Sequence, residues 1–324
     1  MTMRVLVTGG FGNIGRSTVE ALLARGHDVR VLSRRRADHA RWAARRGRRL
    51  EARWGDICRP EDVRLAVSGC DTIVHLAAVL PPDSDDQPER AHEVNVGGTR
   101  KLVDAAKDLR PAPRFLFASS FDVFGPTQHL PPPRRASDPV QATDAYSAHK
   151  IAGEERVRSS GLRWSILRFA DVPRIALREP HPIMFEIPLD TRIETLHTRD
   201  AGLAVASALD CDRAWENVML VGGGPRCQVT FREYVRKMLA AMGVGGPLPE
   251  KAFGTRPYST DWLDTEESER LLRYQRHSFD DIVGEIAALL GPRRLVVPLL
   301  RPWIRRRILK LSPYWRTSGM PLRT

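Results

Sequence analysis

A serine, a tyrosine and a lysine in the middle of the chain have the spacing of a proton-transfer site. Tyr146 and Lys150 are four residues apart, so on a helix both side chains lie on one face. A free phenol titrates near pH ~10, and a neighbouring ammonium is expected to lower the pKa of Tyr146 toward neutrality. Ser120 lies at the end of a predicted strand, where its hydroxyl can orient a substrate oxygen. These residues predict general acid–base chemistry at an oxygen atom.

The glycine-rich segment 8–15 (TGGFGNIG) predicts a site for the pyrophosphate of a dinucleotide. It follows a predicted strand over 4–8 and opens a predicted helix over 13–25, with Gly26 as its C-cap. Glycines allow a tight turn and bring backbone N–H groups and the helix N-terminus against a phosphate. The same letters alone would be typical of an ordinary turn, but the strand–turn–helix context favours a dinucleotide.

The end of the second predicted strand, over 28–33, indicates which dinucleotide binds. NAD-binding proteins usually carry an acid there, which bonds the ribose 2′-hydroxyl. This chain has Ser33 followed by Arg34 and Arg35. A guanidinium can hold a 2′-phosphate with two hydrogen bonds, whereas a carboxylate would repel it. The pattern favours NADP(H) over NAD(H), with a solvated arginine-rich loop as the alternative interpretation.

The elements that must position these residues alternate between strands and helices. Further strands are predicted over 72–76, 114–119 and 163–169, and helices over 91–107 and 143–158. This alternation predicts an α/β fold with a doubly wound parallel sheet of the Rossmann type.

Beyond residue 169 the pattern loosens, and prolines become frequent. Helices are predicted again over 200–209, 230–242, 264–272 and 279–290. We predict a dinucleotide-binding core over 1–170, a smaller, mostly helical substrate lobe with returning elements over 171–291, and a basic amphipathic tail over 292–324.

On these motifs the chain resembles the extended short-chain dehydrogenase/reductase family, the group containing sugar-nucleotide epimerases, dehydratases and carbonyl reductases. The resemblance covers roughly residues 3–290. Its further motifs are GDI at 55–57, HLAA at 75–78, NVGGT at 95–99, SSFDVFG at 119–125, YSAHK at 146–150 and HTRD at 197–200.

The resemblance implies a role for each matching residue. It makes Ser120, Tyr146 and Lys150 catalytic, assigns Asp56 and Ile57 to the adenine, and leaves Asn95 to support the cofactor or to bridge backbone groups. His75 and His197 are expected to be structural. The predicted cofactor-binding residues are Gly9, Gly12, Asn13, Ile14, Ser33, Arg34, Arg35, Asp56, Ile57, Leu76, Ala77, Ala78, Asn95, Lys150 and Phe169.

Departures from the family pattern narrow the expected activity. Dehydratases carry Asp-Glu after the catalytic hydroxyl residue, whereas this chain has Phe121 and then Asp122. Epimerases use an Asn to bind the nucleotide diphosphate where this chain has Asp171, and an Arg where it has Ile193, with Arg192 one step out of register.

We therefore expect a small, largely apolar substrate. The predicted substrate residues are Leu80, Ser120, Phe121 and Asp171. The predicted reaction is an NADP(H)-dependent interconversion of a carbonyl and a secondary alcohol. The alternatives are a sugar-nucleotide epimerase with no net redox change and a non-catalytic cofactor-binding protein. The presence of both Tyr146 and Lys150 argues against the second of these.

The net charge of +12 is concentrated in two segments. Residues 292–324 hold nine Lys/Arg and no acid, so the rest of the chain contributes only +3. Segment 34–53 holds nine further arginines against two acids. This pattern argues against a nucleic-acid partner. The tail, with Trp303 among its aliphatic and basic residues, suits an interfacial membrane segment or packing across the substrate lobe or a partner subunit of a homodimer.

The four cysteines have neither metal-ligand nor disulfide spacing, so we predict reduced thiols and no metal site. A predicted strand begins at Arg4, which leaves no room for a signal peptide, and no apolar run reaches the ~18 residues of a membrane span. The expected location is the cytoplasm, with membrane association through the tail as the open alternative.

Overall fold

The computed structural model describes residues 2–317, so the last seven residues of the predicted tail, 318–324, lie outside the described part. Within residues 2–317, nine strands form two sheets. The strands are β1 (Arg4–Thr8), β2 (Asp28–Ser33), β3 (Leu50–Trp54), β4 (Thr72–His75), β5 (Arg114–Ser120), β6 (Trp164–Phe169), β7 (Arg192–Glu194), β8 (Asn217–Val221) and β9 (Gln228–Thr230).

Thirteen α-helices connect and cover the strands in the described part of the chain. They are α1 (Asn13–Ala24), α2 (Ala37–Ala44), α3 (Pro60–Val67), α4 (Asp83–Asp86), α5 (Pro88–His92), α6 (Thr99–Lys107), α7 (Ala145–Arg158), α8 (Thr198–Asp210), α9 (Phe231–Ala241), α10 (Glu266–Leu272), α11 (Phe279–Ala288), α12 (Arg301–Leu309) and α13 (Pro313–Thr317). None of these helices combines the length and apolar character needed to cross a membrane.

The main sheet confirms the predicted doubly wound fold. Its seven strands are parallel and run in the order β3-β2-β1-β4-β5-β6-β8. The order reverses between β1 and β4, which opens a crevice outside their carboxyl ends. The two remaining strands, β7 and β9, pair antiparallel in a small second sheet.

Helices cover both faces of the main sheet because its strands are apolar on both sides. In β1, Val5 and Val7 pack into one core, which includes residues of α1 and α8. Leu6, between them, packs into the opposite core with residues of α3 and α6. All three side chains are fully buried.

A third apolar core holds the C-terminal lobe together. It joins Phe185 from the loop after β6, Phe231 from α9, Phe253 from the segment between α9 and α10, and Phe279 from α11. Segment 171–291 nevertheless belongs partly to the cofactor half, because α8 packs on α1 and β8 joins the main sheet. Where the lobe begins as a separate unit therefore stays a prediction.

Two local differences from the predicted elements have physical reasons. The helix predicted over 91–107 contains a π-helical turn, Glu93–Gly98, between α5 and α6. The helix predicted from residue 200 begins two residues earlier because His197 caps it. The predicted C-cap is displaced by one residue, because Arg25 is the C-cap of α1 and Gly26 follows it with a φ of +81°.

Candidate active site

The glycine-rich turn between β1 and α1 packs too closely against neighbouring backbone to hold side chains at two of its positions. Gly9 has a φ of +70°, and a Cβ there would lie 2.8 Å from the backbone nitrogen of Ala77. A Cβ on Gly15 would lie 2.0 Å from the Gly9 carbonyl oxygen. The N-cap residue, Gly12, has no side chain to satisfy the first N–H groups of α1. The turn therefore fits the pyrophosphate of a dinucleotide.

The first residues of α1 connect this turn to the loop after β6. The Asn13 side-chain amide donates to the Val172 carbonyl at 2.8 Å, and the Asn13 carbonyl accepts from the Thr198 hydroxyl at 2.8 Å. Ile14 is half-buried against the core. Asn13 thus fixes the β6 loop beside the predicted phosphate site.

At the end of β2, the predicted phosphate-binding residues are available to solvent. The Ser33 hydroxyl donates to the Arg34 carbonyl at 3.2 Å, and both Arg34 and Arg35 are exposed. Arg36 instead pairs with Asp38 at 3.2 Å. The two predicted arginines are thus positioned at the strand end where the 2′-position of an adenine ribose is expected.

The predicted adenine residues lie in the turn between β3 and α3. Asp56 accepts the backbone N–H of Cys58 at 3.0 Å through one carboxylate oxygen. Ile57 is buried against Gly98 in the π-helical turn.

Asn95 fixes the loop that follows β4. Its side chain accepts from the Val79 N–H at 2.7 Å and donates to the Val79 carbonyl at 2.9 Å. Leu76 and Ala77 are tied to Thr8 at the end of β1, through the Thr8 carbonyl at 3.2 Å and its hydroxyl at 3.3 Å. Ala78 is half-buried between these anchors. Asn95 therefore bridges backbone groups and supports the predicted cofactor loop indirectly.

His75 is structural. Its ring nitrogens lie 2.7 Å from the Thr8 hydroxyl and 2.8 Å from the Thr99 hydroxyl. Burial, with a smaller contribution from the Lys150 charge, lowers its pKa to about 3, so the ring stays neutral. The expectation from sequence is confirmed.

The structure brings Ser120, Tyr146 and Lys150 together, as predicted. Tyr146 and Lys150 lie on α7, and Ser120 is the last residue of β5. All three are buried. The Lys150 Nζ donates to the Ala118 carbonyl at 2.7 Å and lies 5.5 Å from the centroid of the Tyr146 ring.

The predicted direction of the Tyr146 pKa shift is wrong in this structure. Burial raises the pKa of Tyr146 above its ordinary value, the Asp122 charge adds to the increase, and a hydrogen bond with Ser120 opposes it. Burial also lowers the pKa of Lys150 to about 8. Removal of the phenol from water therefore dominates its pKa, and Tyr146 is held as the neutral phenol that can donate a proton.

Asp122 joins this group, although sequence reasoning assigned it no role. The Ser120 hydroxyl donates to the Asp122 carboxylate at 2.6 Å. Burial raises the pKa of Asp122 to about 7, and the charges of Asp144 and Asp171 raise it further, against the opposing hydrogen bond from Ser120. The sequence signal that could have identified Asp122 is its position two residues after Ser120. The site therefore holds a carboxyl group that titrates near neutral pH.

A second group missed from the sequence positions α7 against the sheet. Glu154 accepts two hydrogen bonds from the Arg168 guanidinium, at 2.9 and 2.8 Å, and one from the Ser119 hydroxyl at 2.6 Å. Glu154 and Arg168 are 3% and 2% exposed. Glu154 follows Lys150 by one more helical turn, so this network fixes the helix face that carries Tyr146 and Lys150.

The predicted substrate residues divide into inner and outer positions. Phe121 is half-buried against the core, and Phe169, predicted to line the cofactor, is buried at the end of β6. Leu80 is 49% exposed, so much of this side chain faces solvent. Asp171 follows β6, and its pKa is raised to about 6 by burial, against the opposing charge of Arg178.

The C-terminal lobe adds two tyrosines that sequence reasoning missed. Burial raises the pKa of Tyr258, and the nearby Asp122 and Asp171 carboxylates raise it further. Burial and Asp171 likewise raise the pKa of Tyr234, whose ring stacks on Phe279 at 5.2 Å. Both tyrosines are distant in sequence from the carboxylates that act on them, Asp122 and Asp171.

Strand β7 carries Arg192 and Ile193, the two residues at which the sequence departs from the epimerase pattern. Ile193 is buried in the apolar core of the lobe. Arg192 donates to both carboxylate oxygens of Asp261, at 2.6 and 3.0 Å, and to the Leu130 carbonyl at 2.9 Å. Its guanidinium is therefore already held in place by partners within the chain.

His197 is structural, in agreement with the sequence expectation. Its Nδ1 accepts the Arg199 N–H at 3.0 Å at the start of α8. The proton of a neutral ring is then on Nε2, which lies 3.4 Å from Glu285. His277 completes a group with metal-binding spacing, but its Nδ1 lies 2.6 Å from Asp200 and its Nε2 lies 3.1 Å from the Arg199 guanidinium. These hydrogen bonds occupy both ring nitrogens of His277 and the Nδ1 of His197, whereas the buried His197 Nε2 has no hydrogen-bond partner among the described residues.

The fold and this site define a Rossmann-type dinucleotide-binding protein with a Ser–Tyr–Lys group at the carboxyl edge of its sheet. The chain belongs to the NAD dependent epimerase/dehydratase family, whose sequence model matches residues 5–172. This is the extended short-chain dehydrogenase/reductase group of NAD(P)-dependent dehydrogenases and epimerases.

The curated relatives include both dehydrogenases and epimerases. A 3-beta-hydroxysteroid dehydrogenase of Mycolicibacterium neoaurum is 34% identical over 160 residues, which is 48% of this chain and 42% of the relative. A UDP-glucose 4-epimerase of Lacticaseibacillus casei is 29% identical over 208 residues, 59% of this chain and 61% of the relative. The aligned region spans less than two thirds of either relative.

The fold agrees with solved structures over most of the chain. A short-chain dehydrogenase/reductase superfamily protein from Agrobacterium tumefaciens with bound NAD has a TM-score of 0.72 and 22% identity. The match covers 92% of this chain and all of the other.

Proposed function

We propose that this protein is an NADP(H)-dependent oxidoreductase that interconverts a carbonyl and a secondary alcohol on a small, largely apolar molecule. The observation that carries the proposal is the buried group of Ser120, Tyr146 and Lys150, joined by the Asp122 carboxyl. The two positions that the family resemblance assigns to diphosphate binding in epimerases hold Asp171 and Ile193 in this chain.

The protein's own groups manage the substrate oxygen and its proton. When bound, a nicotinamide cofactor supplies or accepts the hydride. In the direction of reduction, Tyr146 donates its phenolic proton to the carbonyl oxygen, and Ser120 holds that oxygen in place. Lys150 stabilises the phenolate that remains and would bind the ribose hydroxyls of the cofactor.

The protonation of Asp122 sets the direction in which Ser120 donates its hydrogen bond. When Asp122 is ionised, the Ser120 proton is directed to the carboxylate, at 2.6 Å. When Asp122 is protonated, it can donate to Ser120, which frees the serine proton for the substrate oxygen. Protonated Asp122 therefore favours reduction of a carbonyl.

The choice of NADP(H) depends on the exposed Arg34 and Arg35 after Ser33. Calorimetric titration with NADP⁺ and NAD⁺ tests it directly. Tighter binding of NAD⁺ by the unmodified protein would overturn this part of the proposal.

The substrate class follows from charge and solvation. A diphosphate would lose its water and face Asp171 without an available guanidinium at residue 193. An apolar molecule gains roughly 25 cal/mol for each Å² that it buries, for example against Phe121. The steroid dehydrogenase among the relatives supports a hydroxyl or carbonyl on a fused-ring molecule as the first substrate class to test.

The test is turnover of free cofactor. The protein is mixed with NADP⁺ and a panel of hydroxysteroids and smaller secondary alcohols, and reduced cofactor is followed at about 340 nm. Substrate-dependent growth of this absorbance is expected.

An epimerase is the alternative that one observation favours, because Arg178 lies near Asp171 and could contact a diphosphate. Calorimetry with UDP, dTDP and GDP sugars in the presence of NADP⁺ separates the two functions. Micromolar binding with formation of the C4 epimer, and no net change in cofactor, would replace the oxidoreductase proposal.

A further inference from the structure

The described part of the basic tail is fixed against the C-terminal lobe along its inner side. Ile308 on α12 is 4% exposed and packs into the apolar core of the lobe. The Ser312 hydroxyl donates to the Ala252 carbonyl at 2.6 Å, and Arg305 donates to the Gly246 and Pro247 carbonyls at 3.1 and 2.5 Å. The outer side of this segment is therefore held in a defined orientation.

That outer side is unusually apolar. Nine large hydrophobic residues of the described chain are exposed, and five of them fall within 15 consecutive residues. These five, which we call the C-terminal face, are Leu289, Val296, Leu299, Leu300 and Trp303, exposed by 49%, 53%, 78%, 50% and 61%. Their concentration in one segment indicates a surface that another structure covers.

Cations surround the C-terminal face. Segment 292–317 contains eight Lys/Arg and no Asp or Glu. An open groove along α12 is lined by Arg301, Arg306 and Lys310, together with apolar side chains and with Arg305, which is anchored to the lobe. The Arg307 guanidinium lies 5.8 Å from the centroid of the Trp303 ring on the outer side of α12. Apolar and cationic groups thus share one side of the segment.

We propose that the C-terminal face docks on the surface of an anionic phospholipid bilayer. An interfacial segment places aromatic and aliphatic side chains at the acyl boundary and its Lys/Arg among the headgroups, which is the composition found here. A nucleic acid would use the cations but leave the leucines in water. A second copy of this face would oppose positive charge with positive charge.

The position of the face connects it to the substrate side of the fold. Helix α13 packs on the short 3-10 helix Pro182–Phe185 in the loop after β6. The same loop contains Arg178, whose charge acts on Asp171. Docking would therefore bring the substrate side near the lipid. The proposal stands without the proposed function, because it rests on the outer surface alone.

Co-sedimentation of the full chain with vesicles tests the proposal. One set of vesicles is phosphatidylcholine, and the other is an equal mixture of phosphatidylcholine and phosphatidylglycerol. The apolar variant combines Leu299→Asn, Leu300→Asn and Trp303→Gln, and the charge variant combines Arg306→Gln and Arg307→Gln. The matched control replaces the exposed Leu65 by Asn, far from the tail. Thermal unfolding confirms that each variant is folded.

The unmodified protein and the Leu65 control are expected to bind the mixed vesicles and to dissociate as salt is added. Each arginine removed should weaken binding about fivefold. The apolar variant should lose at least as much affinity as the charge variant. Failure of the unmodified protein to bind mixed vesicles would overturn the proposal. Unchanged vesicle binding by the apolar variant would also overturn it. So would a dimer of the unmodified protein that the apolar variant alone disrupts, which would make the face a dimer interface. Binding of duplex RNA in preference to vesicles would likewise overturn it.

Discussion

The cofactor half and the C-terminal lobe build their parts of the site in different ways. In the cofactor half, the functional residues follow the ends of β1, β2, β4 and β5, and parallel strands bring those ends to one edge of the sheet. In the lobe, Arg178, Tyr234 and Tyr258 reach the site from a loop, a helix and an irregular segment. The first arrangement is set by backbone geometry and the second by packing.

The difference suggests how chemistry and substrate choice are divided in this molecule. The backbone-built half carries the proton-transfer group and the predicted cofactor site, which different substrates can share. The packed lobe decides which charges and rings face the substrate, and loops of this kind accept sequence changes without loss of the scaffold.

The largest expected effect is in the cofactor half. Tyr146→Phe should reduce turnover by about 100- to 10,000-fold, because it removes the proton donor alone. Its affinity for NADP⁺ should stay within twofold of the unmodified protein, roughly, as measured by calorimetry. Lys150→Ala should reduce both turnover and cofactor affinity. Turnover by the Phe variant at the unmodified rate would mean that another group carries the proton.

The scaffold that holds this tyrosine should be sensitive to a single charge. Glu154→Ala leaves the buried Arg168 guanidinium without its carboxylate, so the free energy of unfolding should fall by about 3–5 kcal/mol. Glu155→Ala, at the exposed neighbouring position, is the control and should change it by less than about 0.5 kcal/mol. Denaturant unfolding measures both. Equal effects would show that the buried pair does not stabilise α7.

Removing the two exposed arginines tests the cofactor preference within the same half. The double variant Arg34→Ala, Arg35→Ala should bind NADP⁺ roughly 10- to 100-fold more weakly, because the charged hydrogen bonds to the 2′-phosphate are lost. Affinity for NAD⁺ should change little. Arg48→Ala, another exposed arginine before β3, is the matched control. Parallel losses for both cofactors would contradict a role at the 2′-position.

Asp122 should give the reaction its pH dependence. Carbonyl reduction should fall by up to about tenfold as pH rises through the Asp122 pKa of about 7, because the ionised carboxylate withdraws the Ser120 proton from the substrate. Asp122→Asn imitates the protonated acid and should remove this step from the pH–rate profile. The exposed Asp212→Asn should keep it. A profile that is unchanged in the Asp122 variant would assign the titration to another group.

The smallest effect is expected at the border of the lobe. Asp171 has a pKa of about 6, so it is mostly ionised at pH 8 and mostly neutral at pH 5. Asp171→Asn should strengthen binding of a UDP sugar a few-fold at pH 8 and hardly at all at pH 5, since only the ionised form repels a diphosphate. Calorimetry at both pH values measures the change. Weaker binding by the Asn variant at pH 8 would show that Asp171 helps to bind the sugar nucleotide.

The sequence predicted the cofactor half well because its signals are local. Strands β1 and β2 and the start of α1 have the predicted bounds, and the grouping of Ser120 with Tyr146 and Lys150 is confirmed. Strand β3 and helices α2 and α3 were not predicted. For β3 and α2, the arginine-rich segment 34–53 hides the apolar period that would reveal these elements, whereas α3 lies outside that segment.

The remaining parts of the site could not be predicted, because they join residues that only the folded chain brings together. The pairing of Glu154 with Arg168, and of Arg192 with Asp261, joins residues that no local pattern connects. The direction of the Tyr146 pKa shift was wrong for the same reason, because spacing reveals a neighbouring charge but not the loss of water around both groups.

By itself, the sequence determined the order of strands and helices, the glycine turn and the helix face shared by Tyr146 and Lys150. Each of these follows from steric rules that act over a few residues. Only the tertiary structure decided that Asp122 lies half-buried beside Ser120, that the Asp171 charge acts on Tyr234 and Tyr258, and that the apolar side chains of the C-terminal face are exposed. Burial and orientation belong to the packed chain, because they depend on which distant segments cover each side chain.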